Sequence, residues 1–172
     1  MRMKVAMLTA AVVAAGTAVA PTGFAAGAQV GACGGGEFRW TAAEGAITMS
    51  PQWLTFTSTG VLHECVGTEP GITGGTFTGV HTARSDCMRP ADGPITVTVT
   101  WSDGRTSVLS GPWPVAVAQP TIGVLEVSEG LGHGNRVRIV AEYDVLTADN
   151  VAGCMGPGVR TGTGRVLGAT FE

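Results

Sequence analysis

The chain has 172 residues, of which 27 are glycine and only 13% are charged. All thirteen acidic residues but only eight of the ten basic ones lie after position 28, giving that portion a formal charge of −5. This balance argues against a basic nucleic-acid face or a polybasic membrane patch, and the length suits one domain with a real core rather than two.

Arg2 and Lys4 precede an apolar run from Val5 to Ala20 that Pro21 breaks, and Ala26-Gly27-Ala28 then forms an A-x-A site. Residues 1–28 therefore read as a secretory signal peptide cut before Gln29, with cleavage after Ala25 as a neighbouring choice. The run of 16 residues is shorter than the roughly 20 needed to span a bilayer, and no later stretch reaches that length. The expectation is a secreted protein with one β-domain over residues 29–172. Val30-Gly31-Ala32-Cys33 loosely matches a lipobox and offers an alternative, a lipid anchor at Cys33. The polar Gln29 and the distance of Cys33 from the apolar run weigh against it.

Cys33, Cys65, Cys87 and Cys154 form an even set, which in an exported chain points to two disulfides. No C-x-x-C pair exists and His63, His81 and His133 are scattered, so no metal or cofactor is expected.

Strands follow in order. Glu37–Met49 reads as a bent opening strand, and Trp53–Val66 as a long one with a bulge at Gly60, where the apolar parity slips. Gly75–Ala83 is anchored by Phe77. Ile95–Trp101 alternates strictly, with Ile95, Val97, Val99 and Trp101 on one face and threonines on the other. Asp103-Gly104 predicts a two-residue type I′ turn that sets Val99 opposite Val108. Trp113–Glu129 is strand-like but interrupted by Pro120; Arg136–Leu146 and Val159–Phe171 complete the set. No window of 11 residues after position 28 has helical apolar spacing.

About eight antiparallel strands in one all-β domain result, folded as a β-sandwich or closed as a meander barrel. The sandwich is preferred, because the glycine-rich strands carry few bulky inward residues to fill a barrel. Strict strand alternation puts Cys33 with Cys65 at one end and Cys87 with Cys154 at the other. The rival pairing, 65–87 with 33–154, stays open, since a hairpin at Glu44-Gly45 would reverse the count.

Four motifs carry a resemblance: Gly71–Gly79 (GITGGTFTG), Trp101–Ser107 (WSDGRTS), Val127–Leu131 (VSEGL) and Cys154–Gly158 (CMGPG). In this order they resemble a group of small exported actinobacterial proteins, rich in glycine and threonine, that share a W-x-D-G-x-T-S hairpin and paired cysteines. The resemblance spans roughly residues 33 to 170 and implies an exported all-β domain. It implies no activity.

Candidate acid–base groups are His63 beside Glu64, His81 near Asp86, and His133; Ser85-Asp86 and Ser102-Asp103 offer hydroxyls. No G-x-S-x-G elbow accompanies them, so an enzyme is not expected. Four tryptophans suggest glycan stacking. Trp101 belongs to a core face, whereas Trp113, between two prolines, is expected to be exposed, followed by Trp53 and Trp40. Cys87-Met88-Arg89-Pro90 raises a protease-inhibitor loop, disfavoured by the proline after Arg89. The sequence thus predicts a secreted, non-catalytic binding domain directed at a glycan or the cell wall, or alternatively at a surface protein, with oligomeric state left open.

Overall fold

The computed structural model describes residues 31–67 and 69–172. The expected signal peptide, residues 1–28, lies outside the described residues. Eight antiparallel strands run β1 (Gly31–Ala42), β2 (Gln52–Gly67), β3 (Gly75–Asp86), β4 (Arg89–Trp101), β5 (Thr106–Val115), β6 (Thr121–Gly130), β7 (Arg136–Tyr143) and β8 (Thr161–Phe171). Each pairs with the next and β1 pairs with β8, so the meander closes into a barrel and not the preferred sandwich.

Bulky side chains do fill the interior, and the glycines are what make room for them. Trp40 faces Gly162, Phe38 lies between Gly60 and Gly164, Trp101 faces Gly75, and Trp113 faces Gly93 across neighbouring strands. A Cβ at Gly162 would stand 2.6 Å from the Trp40 ring, and one at Gly60 would stand 2.5 Å from Phe77. An aromatic ring lying across a facing glycine fits an eight-stranded barrel, whose interior is only wide enough for its own side chains or one small ligand. The glycines that argued against closure are its steric condition.

The hairpin between β4 and β5 has three loop residues, Ser102-Asp103-Gly104, instead of two. Gly104 alone has positive φ (87°), whereas a type I′ turn needs it at Asp103 as well. The Trp101 amide donates to the Arg105 carbonyl at 2.8 Å, and the register moves by one, so that Val99 faces Ser107 and Thr98 faces Val108. The slip buries Ser107, which is fully satisfied: its Oγ accepts from Trp101 Nε1 at 2.8 Å and donates to the Leu131 carbonyl at 2.7 Å.

Gly60 lies in unbroken register with both neighbours. The inward parity of β2 changes further on, between Leu62 and Cys65, where Glu64 adopts φ 55°. A left-handed glutamate costs on the order of 1–2 kcal/mol, and at this place it turns Cys65 inward opposite Cys33. Cys33–Cys65 and Cys87–Cys154 are bridged, the pairing that strand alternation favours, and they lie at opposite ends of the barrel. Two disulfides fit an oxidising compartment. The bridge also occupies the Cys33 sulfur that a lipid anchor would require.

One short helix, α1 (Ala148–Cys154), was not expected from apolar spacing, because it buries nothing. Its signal is polar: Thr147 caps it, Oγ1 accepting from the Asn150 amide at 3.2 Å. Among the described residues no helix is long and apolar enough to cross a membrane.

Candidate functional site

On the outer wall, β2, β3 and β4 each carry threonine at alternate positions, and the register aligns them. Thr59, Thr78 and Thr98 form one row across the three strands; Val61, Thr76 and Thr100 form the next; Thr57, Val80 and Thr96 lie on the other side. Thr55 and Thr82 extend the field, their hydroxyls 3.2 Å apart. The repeat is about 4.8 Å between strands and about 6.8 Å along them. Nine threonines and two valines thus form a continuous outer field with no charged residue inside it. Glu37 and Arg39 border it on β1, and Arg84 and Asp92 at one end.

Trp53 stands at the end of the β2 threonine column and is 68% exposed. It projects outward because it shares the parity of Thr55, Thr57 and Thr59, while Leu54 and Phe56 turn into the core. The other two tryptophans expected as ligand platforms are inside the barrel. Trp113 is 4% exposed and Trp40 is 9% exposed. Pro112 and Pro114 are the exposed neighbours of Trp113, so proline flanks marked an edge of the strand and said nothing of where the ring points. The Trp113 Nε1–H donates to the Tyr143 hydroxyl at 2.7 Å, and burial pushes the Tyr143 phenol up to about 12.

The candidate acid–base groups do not converge. His63 pairs with Glu37 at 3.3 Å on the surface, and the Ser85 Oγ donates to the Ala83 carbonyl at 3.5 Å. The Ser102 hydroxyl donates to the Gly71 carbonyl at 3.1 Å, and Asp103 holds Arg105, whose guanidinium keeps that carboxyl below its usual range. His81 is buried; its Nε2–H donates to the Gly93 carbonyl at 3.1 Å, and desolvation holds its pKa below the ordinary imidazole value. Among the described residues no three His, Cys, Asp or Glu side chains are placed to hold a metal ion. Arg89 opens β4 straight after a tight turn, with Asp86 Oδ1 accepting from the Met88 and Arg89 amides at 2.8 Å each. That arrangement holds Arg89 in the sheet and not on a projecting loop.

No family model matches the chain, nor does any curated protein or solved structure. The site has to be read from its own chemistry. The threonines were visible in the sequence as T-x-T-x-T in Thr55–Thr59 and Thr96–Thr100, but as the wet side of separate strands. Only the register of β2, β3 and β4 turns them into one surface.

Proposed function

We propose that this is an exported, non-catalytic binding protein whose threonine field and Trp53 engage a neutral, hydroxyl-rich polymer, in the first place a polysaccharide of the cell wall. The observation that carries the reading is the aligned, charge-free field running up to an exposed indole. A threonine offers a methyl and a hydroxyl side by side. A pyranose ring offers the same alternation, an apolar C–H face and hydroxyls at its edge. Trp53 supplies ring stacking and the threonines supply short polar contacts that lose little side-chain entropy on binding. The absence of charge avoids the desolvation cost that a lysine- or glutamate-rich wall would incur against an uncharged partner.

The A-x-A segment and the two disulfides support the extracellular setting. A protein partner is the second reading, favoured by Val80, which is 52% exposed in the middle of the field. It would use the face of the sheet, because pairing of β1 with β8 removes the free edge that strand addition needs.

The test is retention of the purified protein on insoluble chitin, cellulose and peptidoglycan, with elution by soluble oligosaccharide. Trp53→Ala and Thr78→Glu are each expected to lower affinity about tenfold or more, equivalent to about 1.4 kcal/mol, without changing the unfolding midpoint appreciably. Failure of all three polymers to retain the protein rejects the polysaccharide reading and leaves the protein partner.

A further inference from the structure

A separate feature lies at the Cys33–Cys65 end of the barrel, away from Trp53. There the barrel mouth forms a cup of about 240 Å³ walled by Trp101, Ile72, Leu131, Phe171 and the Cys33–Cys65 disulfide. A dry cavity of about 150 Å³ already accepts benzene, so this one has room for a larger ring or a short alkyl chain. Barrel mouths are among the places where small ligands are bound.

Several polar groups around the cup are already engaged. The Trp101 Nε1–H is taken by Ser107, whose own hydroxyl is used on the Leu131 carbonyl. At the rim Glu69 is held by Arg105 at 3.0 Å, and the same guanidinium contacts Asp103 at 2.7 Å. Glu69 is the only charged residue among those lining the cup. Among the described residues no buried side-chain nitrogen or oxygen lacks a partner. A guest would therefore find mainly apolar walls, with Asn135 as a neutral polar side chain among them and no cation lining the cup to pair with an anion.

Phe171 is shared between this cup and a smaller cavity of about 70 Å³ in the shaft, lined by Phe77, Val99 and their neighbours. Its ring stacks edge-on against Trp101 with centroids 5.5 Å apart. At the end of β8, it stands between the two spaces. Rotation of that one ring would join them.

We infer that the cup is a binding site for a small, uncharged apolar molecule carrying an aromatic ring or a short alkyl chain, with Phe171 as its floor. The inference is independent of the polysaccharide reading, since it uses another part of the molecule. A matched pair of probes tests it: neutral N-phenyl-1-naphthylamine and its anionic relative 8-anilinonaphthalene-1-sulfonate, titrated into the full protein and followed by fluorescence. Saturable binding of the neutral probe is expected, with the sulfonate at least tenfold weaker. Leu131→Arg and Ile72→Arg should each weaken the neutral probe at least tenfold, while Ile122→Arg, on the outer wall, should leave it unchanged. Ile72 lies outside the strands, so its variant keeps the test decisive if the Leu131 variant fails to fold. No saturation with the neutral probe overturns the site. Unchanged affinity in a folded cup variant overturns its location, and equal affinity for the sulfonate overturns the assignment to uncharged ligands.

Discussion

His81 shows how burial alone can make one residue control stability. It sits among Phe56 and the inner faces of β3 and β4, 6% exposed, with its Nε2–H on the Gly93 carbonyl. Desolvation lowers its pKa from 6.5 more than the Gly93 hydrogen bond and the charge of Asp92 raise it. The unfolded chain therefore binds this proton at a higher pH than the folded barrel does. Stability from this group is complete above pH 6.5 and is lost as pH falls through 6.5 towards the depressed folded value. Denaturant midpoints are expected to drop as the solution is acidified across that window, and His81→Gln should flatten the drop. An unchanged slope in the variant would assign the acid sensitivity to the carboxylates instead. Trp53 and Trp113 give the complementary lesson. Trp53 lies between Gln52 and Leu54 and Trp113 between two prolines, and strand parity decides that the first ring is outside and the second inside.

At the level of elements, the shortest ladder in the wall joins β5 to β6. Their ladder covers only Ser107–Ser110 against Glu126–Gly130, with a bulge between Val108 and Leu109. Beyond it, the β5 positions whose amides should reach β6 are Pro112 and Pro114, which have none. The Trp113 indole lies against Gly123 and closes the gap by packing. The amides of Ile122 and Val124 face this seam, because the alternate Val127 amide is turned to β7, where it donates to Asn135. Hydrogen exchange at Ile122 and Val124 is expected to be faster than at the amides of the continuous β1–β2 ladder. Equal protection would mean that β5 carbonyls hold the seam after all. The turn at Asp103-Gly104 is a second joint where a local rule was incomplete: the dipeptide marks a hairpin correctly, but one extra loop residue moves every side chain of β5 to the other face.

For the whole molecule, closure couples the first strand to the last. β1 is held on both sides, by β2 and β8, so the barrel does not depend on either disulfide for its topology. Cys87–Cys154 has another task. It ties the turn between β3 and β4 to α1, a helix with no buried residue. Its 67-residue span gives about 4 kcal/mol by the chain-entropy estimate. The double variant Cys87→Ser with Cys154→Ser should lose about that much while still unfolding in one cooperative step, and limited proteolysis should cut first between Asp144 and Pro157. Cleavage first inside β1 or β8 would show that this bridge holds the closure itself.

The all-β class, the antiparallel order of the strands and the favoured cysteine pairing were legible in the sequence because each follows from local rules: alternation of period two, turn residues, and parity along a meander. Trp101 was legible as core for the same reason, sharing its face with three β-branched neighbours. Closure was not legible, because it depends on the fit between rings and the glycines facing them on other strands, pairs such as Trp40 with Gly162 that are distant in sequence. The threonine field was half legible. Its periodicity lies in each strand, but a surface needs registers, and the register of one strand against another is set by backbone hydrogen bonds and packing across the barrel. Sequence alone determined what kind of strands this chain makes; tertiary structure decided which of their faces meet.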